Sequence, residues 1–134
     1  MATQEQVAAE ALREAQQLMN DKGAHWIQGQ FFAKVDDGSM GYCSVGALNK
    51  ALGKKSGAER DLALVTLAEV INPDFREEYA EEYPDDGEGY IVGHAEEVVI
   101  NWNDFDDRDW TDVKDAFSRA RRRLQDRARR KAKK

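Results

Sequence analysis

The chain has 134 residues and a formal net charge of −6, from 20 Lys and Arg against 26 Asp and Glu. This length suits one domain and excludes a multidomain enzyme with a separate cofactor module. One Cys excludes an internal disulfide framework, and one Cys with two His argues against a structural zinc site. The chain has neither an apolar run of about 18 residues nor the apolar segment of a secretory signal, so we expect a protein of the cell interior with no membrane contact.

The first predicted element is an amphipathic helix over residues 3–21. Thr3 and Gln6 have the spacing of a capping box, in which two side chains satisfy free N–H groups of the first turn. Small and apolar residues then recur at helical intervals. Gly23 is the predicted end, because glycine accepts the left-handed conformation that often follows a helix.

A short hairpin or aromatic loop is predicted near residues 25–42. Residues 25–35 are aromatic and partly alternating, and Asp36, Asp37 and Gly38 supply a turn. Residues 39–42 are too short to predict a second strand. A second helix is expected from about Tyr42 to Gly53.

The third helix is predicted to be the most buried, because residues 62–71 are apolar nearly all round. Ser56 and Glu59 have the spacing of a capping box at its start, and Pro73 stops it. An acidic segment follows at residues 74–89, with eight acids and one Arg. Phe75, Tyr79 and Tyr83 fall on one face of a short surface helix there.

Residues 90–100 fit a strand or a helix, and we favour a helix. The last helix is predicted to begin at Thr111, with Asp112 and Asp115 at the positive end of its dipole. The sequence thus predicts a mainly α single domain of about five helices, with a short β-hairpin or aromatic loop after the first.

The charge is divided unevenly along the chain. Residues 119–134 carry +9 and the other 118 residues carry −15. We therefore distinguish a compact acidic helical part, residues 1–118, from a basic helical extension, residues 119–134. The extension's candidate partner-binding residues are Arg119, Arg121, Arg122, Arg123, Arg127, Arg129, Arg130, Lys131, Lys133 and Lys134.

Three interpretations fit this basic extension, two with a partner and one without. Dense Arg suits phosphate groups, so nucleic acid or a ribonucleoprotein comes first. An acidic protein surface is the second, including the chain's own segment 74–89 in the same or another copy. The third alternative is a solvated helix end without a partner.

Several short motifs resemble a family of small actinobacterial and actinobacteriophage proteins known as a domain of unknown function. They are Trp-Ile-Gln-Gly at 26–29, Tyr-Cys-Ser-Val-Gly-Ala-Leu at 42–48, Val-Ile-Asn-Trp-Asn-Asp at 99–104 and Thr-Asp-Val at 111–113. The resemblance covers most of residues 3–120. It implies a compact, mainly helical cytoplasmic protein of a bacterial cell or of a phage-infected host, and it implies no established reaction.

The alternative function is a small Cys-dependent hydrolase or transferase. Cys43 precedes a predicted helix, whose N-terminus lowers a thiol pKa, and His94 and then Asn103 or Asp104 follow in the chain order of papain-like hydrolases. The competing interpretation makes Cys43 a buried packing residue and Asn103 or Asp104 a turn-forming residue.

Metal and cofactor sites are not predicted. His25 and His94 lack a third ligand, and neither glycine-rich phosphate-binding motif occurs. The leading interpretation is a non-enzymatic interaction or regulatory protein.

Overall fold

The computed structural model describes residues 2–20, 23–53 and 57–132 and confirms the predicted fold class. It is one small, mainly helical domain with a two-stranded hairpin after the first helix. No helix within these ranges is both long and apolar enough to span a bilayer. The elements are α1 (Gln4–Met19), β1 (Phe32–Lys34), β2 (Met40–Tyr42), α2 (Ser44–Leu52), α3 (Gly57–Ile71), α4 (Phe75–Glu82), α5 (Ile91–Asn103) and α6 (Trp110–Ala132).

The start of α1 confirms the predicted capping box. Thr3 Oγ1 accepts a hydrogen bond from Gln6 N at 3.1 Å, and Gln6 Oε1 accepts one from Thr3 N at 2.8 Å. The prediction was wrong about the end, because α1 stops at Met19. Gly23, at φ +85°, instead lies beneath Trp110, where an added Cβ would be 2.7 Å from the Trp110 Cβ. Asp21 lies outside the described residues.

The hairpin is antiparallel, with Ala33 opposite Gly41. Residues 40–42 form a strand, although the segment was judged too short for one from sequence. The reason is a second set of bonds on the far side of β2: Tyr42 N donates to His25 O at 2.8 Å, and Ile27 N donates to Tyr42 O at 3.0 Å. Pairing on both sides fixes a strand that one partner would hold weakly.

Helices α1, α3 and α6 each contribute six buried apolar residues to the core. In α3 a continuous run from Ala63 to Ala68 is buried, as its apolar sequence predicts, although α2 is buried over a larger fraction of its length than α3. The predicted cap Ser56 lies outside the described residues. Segment 90–100 is helical, as favoured above, and its helix continues to Asn103. Helical spacing explains this outcome, because Ile91, Ala95 and Val99 all point into the core.

The last helix, α6, begins one residue before the predicted start. Asp112 N donates to Asp109 Oδ1 at 3.0 Å, and Asp109 N donates to Asp112 Oδ2 at 3.3 Å. Asp109 therefore caps α6, and Thr111 lies inside the first turn. The helix then runs unbroken to Ala132 and packs antiparallel to α1.

Candidate functional site

The side chain of Asn103, at the end of α5, joins three separate parts of the chain. Its Oδ1 accepts hydrogen bonds from Trp26 Nε1 at 2.8 Å, from Ser44 N at 3.0 Å and from Ser44 Oγ at 2.7 Å. Its Nδ2 donates to Ile27 O at 3.1 Å and to Asp104 Oδ1 at 3.0 Å. Asn103 is fully buried, and both ends of its amide are used within the protein.

Gln28 and Gly29 complete this network from the loop before β1. Gln28 Nε2 donates to the backbone oxygens of Asn103 and Phe105, at 2.8 and 2.9 Å. Gly29 N donates to Asp104 Oδ1 at 2.9 Å. Asn103 and Asp104 thus tie down distant backbone groups, whereas the sequence interpretation assigned them to a local turn. The motifs at 26–29, 42–48 and 99–104 meet at one place because their residues bond to one another.

Cys43 lies beside this network as the cap of α2. It is 4% exposed, and its Sγ accepts a hydrogen bond from Gly46 N at 3.4 Å. Burial raises the pKa of the Cys43 thiol above its ordinary value, and the negative charge of Asp104 adds to the rise. The N–H groups of Gly46 and Val45 oppose this rise without cancelling it. A thiol held neutral at physiological pH is a poor nucleophile.

A small cavity of about 120 Å³ borders Cys43 and Asp104. Gly29, Gln30, Phe31 and Ile100 form the remaining walls. This volume holds a few water molecules and is well below the roughly 300 Å³ of a typical ligand pocket. The cavity therefore offers little room for a substrate beside the thiol.

His94 has different neighbours. Its ring stacks on Phe75 with centroids 5.4 Å apart and also contacts Tyr79 and Tyr83. His94 Nδ1 is 3.9 Å from Glu97 Oε2. The structure thus brings Cys43, Asn103 and Asp104 together and places His94 against α4. His94 is six residues, or about 9 Å, along α5 from Ile100, which borders the cavity beside Cys43.

His25 lies at the hairpin, where its Nε2 is 3.5 Å from Asp37 Oδ2. The contacts of His25 and His94 therefore belong to separate parts of the domain. Within the described residues, no three His, Cys, Asp or Glu side chains converge as a metal site would require.

The basic residues of α6 form an exposed row. Their helical positions place Arg119, Arg122, Arg123, Arg129 and Arg130 on the side away from the buried Ala120, Leu124 and Ala128. We call these five residues the arginine ridge. Their Cα atoms span about 17 Å along the helix.

Carboxylates partner only part of this ridge. Arg119 lies 3.6 Å from Asp115, and Arg129 pairs with Asp126. Within the described chain, Arg122, Arg123 and Arg130 have no carboxylate partner. The ridge therefore presents three unneutralised guanidinium groups to solvent. Lys133 and Lys134 lie outside the described residues.

The two other cations near the end of α6 face α1. Lys131 Nζ donates a hydrogen bond to Glu5, whose side chain is buried. This bond lowers the pKa of the Glu5 carboxyl, and the charge of Arg127 acts in the same direction. The basic extension is thus fastened to the first turn of α1.

The acidic segment satisfies part of its own charge. Arg76 bonds to Glu69 at 2.8 Å and to Glu88 at 3.0 Å, which joins α4 to α3 and to the following loop. Tyr79 Oη donates to Asp86 Oδ2 at 2.8 Å and accepts from Tyr90 N at 2.8 Å. These bonds anchor the segment on α3 and α5, away from the α6 ion pairs described above.

Comparison with known proteins identifies the family. A model described as "Family of unknown function (DUF6197)" matches residues 3–123. This range contains the whole Asn103 network and the arginine ridge as far as Arg123. No curated protein and no solved structure matches the chain. Because the family model covers most of the sequence, the chain belongs to the DUF6197 family of proteins of unknown function.

Proposed function

We propose that this protein is a non-enzymatic binding protein that contacts nucleic acid through the arginine ridge of α6. The observation that carries the proposal is the exposed row containing Arg122, Arg123 and Arg130, whose charges no carboxylate neutralises within the described chain. Guanidinium groups bind phosphate oxygens in a bidentate manner, and a helix spaces them along a phosphate backbone. Binding of this kind depends steeply on salt, because it releases condensed counterions.

The packing of α6 supports this role for the ridge. Leu124 and Ala128 are buried against the domain, and the Lys131–Glu5 bond holds the far end. The arginines therefore extend from an ordered backbone, so binding requires little ordering of the helix itself.

The distribution of charge directs an anionic partner to the ridge. The body carries −15 in total, so a long polyanion such as nucleic acid is repelled by most of the molecule and is attracted to the ridge. Within one copy, the chain's own acidic segment is a weaker candidate, because no acid of residues 74–89 pairs with a base of α6 among the described residues. The buried thiol with its raised pKa gives the Cys-dependent alternative no comparable support.

We further propose that the protein acts inside a bacterial or phage-infected cell, as its resemblance to actinobacterial and actinobacteriophage proteins implies.

The test is a titration of the full chain with fluorescently labelled RNA, single-stranded DNA and duplex DNA of equal length over a series of salt concentrations. If three ridge arginines contact phosphates of a single strand, log K falls against log salt with a slope of about −2. A peptide copying residues 74–89 serves as the protein-like competitor. Salt-independent binding, or binding to that peptide without binding to any oligonucleotide, contradicts the proposal.

A further inference from the structure

A groove between the hairpin and α2 gathers much of the exposed apolar surface of the described chain. Phe31, Phe32 and Met40 are 46%, 62% and 38% exposed. They border a cavity of about 420 Å³, which is large enough for side chains of a bound segment. We call this cavity the hairpin groove; its other walls are Tyr42, Gly46, Asn49 and Lys50.

The backbone beside this groove has an open edge. Cys43 N donates to Phe31 O, and Val35 N donates to Ser39 O. Because hydrogen-bonded and non-hydrogen-bonded pairs alternate along an antiparallel ladder, the N–H and C=O groups of Phe32 and Lys34 point away from β2. The corresponding outward groups of Tyr42, on the opposite edge, bond to His25 and Ile27. Those of Phe32 and Lys34 have no backbone partner in the described chain. Strand β1 therefore offers a place for one more strand.

The charges around the groove indicate which kind of partner segment can bind beside β1. Lys34 shares a face with Phe32 because side chains two apart in a strand point the same way, and Lys50 lines the groove from α2. Both lysines are exposed and have no carboxylate partner within the described residues. The acids of the turn, Asp36 and Asp37, do not line the groove. A segment that sets an apolar side chain beside Phe32 and, two residues away on the same face, an acidic side chain beside Lys34 complements this surface.

We propose that the hairpin groove binds an extended acidic segment of a partner protein, which pairs with β1 and places apolar side chains against Phe32 and Met40. A second copy of this chain fits less well. Antiparallel pairing of two β1 strands about Ala33 sets Lys34 opposite Phe32, so neither lysine meets a carboxylate.

The experiment uses the full chain labelled with ¹⁵N and a short N-acetylated peptide of sequence Thr-Val-Thr-Glu-Thr, in which Val and Glu lie on the same face. Two further peptides test the recognition: one has Lys in place of Glu, and one carries N-methyl groups on the amides that would face β1. We expect shifts of the amide signals of residues 31–34 and 46–50 with the first peptide. We expect about tenfold weaker binding of the other two.

Protein variants locate the contact. Phe32→Ser and the pair Lys34→Gln with Lys50→Gln each weaken binding about tenfold. Phe105→Ser is the matched control, because Phe105 is also exposed, at 55%, but lies outside the groove. Binding that is absent, unchanged in all variants, or shifted to other residues overturns the proposal. Displacement of the peptide by an oligonucleotide, or self-association that Phe32→Ser abolishes, also overturns it, since the occupant is then nucleic acid or a second copy.

Discussion

Ser44 and Asn103 are joined twice, because Ser44 Oγ and Ser44 N both donate to Asn103 Oδ1, at 2.7 and 3.0 Å. The first residue of α2 is thereby fixed to the last residue of α5. Trp26 donates to the same oxygen and brings the loop before β1 to this junction. The motif residues therefore position the hairpin and α2 against each other, which is a structural task.

Replacing Asn103 tests that task. Asn103→Ala leaves the buried N–H groups of Trp26 and Ser44 without their acceptor, so we expect the free energy of unfolding to fall by at least about 3 kcal/mol. The measurement is urea unfolding followed by circular dichroism. Asn49→Ala is the control, because Asn49 is exposed and accepts one bond from Arg60. Equal, small losses in both variants contradict the assigned role.

A glycine contact in α2 gives a second test. A Cβ on Gly46 would lie 1.9 Å from the carbonyl oxygen of Phe31, so Gly46→Ala forces the hairpin away from the helix. We expect destabilisation of about 3 kcal/mol by overpacking. Gly57→Ala, where a Cβ meets nothing within 4 Å, should change stability by less than about 0.5 kcal/mol. If the two variants have the same melting temperature, α2 does not pack on Phe31 in this way.

The thiol of Cys43 should react slowly in the folded protein. Burial raises its pKa, so at neutral pH we expect alkylation by iodoacetamide at least about tenfold slower than in urea. The same shift makes stability depend on pH in a defined direction. The contribution of the buried neutral thiol to the free energy of unfolding is complete below the ordinary thiol pKa of about 8.5. It is lost as the pH rises through the higher pKa of the folded protein.

Cys43→Ser separates this effect from other alkaline titrations, because serine also caps a helix but does not ionise in this range. The difference in unfolding free energy between wild type and variant should therefore shrink or reverse as the pH rises. Rapid alkylation of Cys43 by iodoacetamide in the folded protein at neutral pH would indicate an activated thiol instead.

The bond between Lys131 and Glu5 predicts the opposite pH dependence. Because the pKa of Glu5 is lowered in the folded state, its contribution is complete above the ordinary pKa of about 4.3 and is lost as the pH falls through the lower folded value. Glu5→Gln should therefore be less stable than wild type at neutral pH, with a difference that closes in acid. Glu10→Gln, on the exposed side of α1, is the control. A difference independent of pH argues that the end of α6 does not dock on α1.

The sequence predicted most elements because their signals are local. The capping box at Thr3 and the helical spacing of Ile91, Ala95 and Val99 need no tertiary information. Strand β2 was not predicted, because its second partner, residues 25–27, is known only from the structure and pairs with the side of β2 away from β1. The reciprocal cap of Asp109 and Asp112 was not predicted, because that loop contains several acidic residues that could each cap α6.

The candidate sites were less predictable, since they depend on long-range pairing. Motif order singled out Asn103 and Cys43 but did not reveal that Ser44 and Trp26 are the partners of Asn103. The hairpin groove has no sequence signature, because Phe31, Met40 and Lys50 belong to different elements. The basic extension was evident from charge alone, whereas the row of unpaired arginines required the helix packing.

The most direct test of the proposed function compares two pairs of neutral substitutions with the same change in charge. Arg122→Gln with Arg123→Gln alters the arginine ridge, and Lys34→Gln with Lys50→Gln alters the hairpin groove. Measured by oligonucleotide titration against salt, the first pair should weaken binding and reduce the magnitude of the salt slope by about 1.5. The second pair should retain nearly the wild-type slope, and equal slopes for both variants would contradict binding through α6.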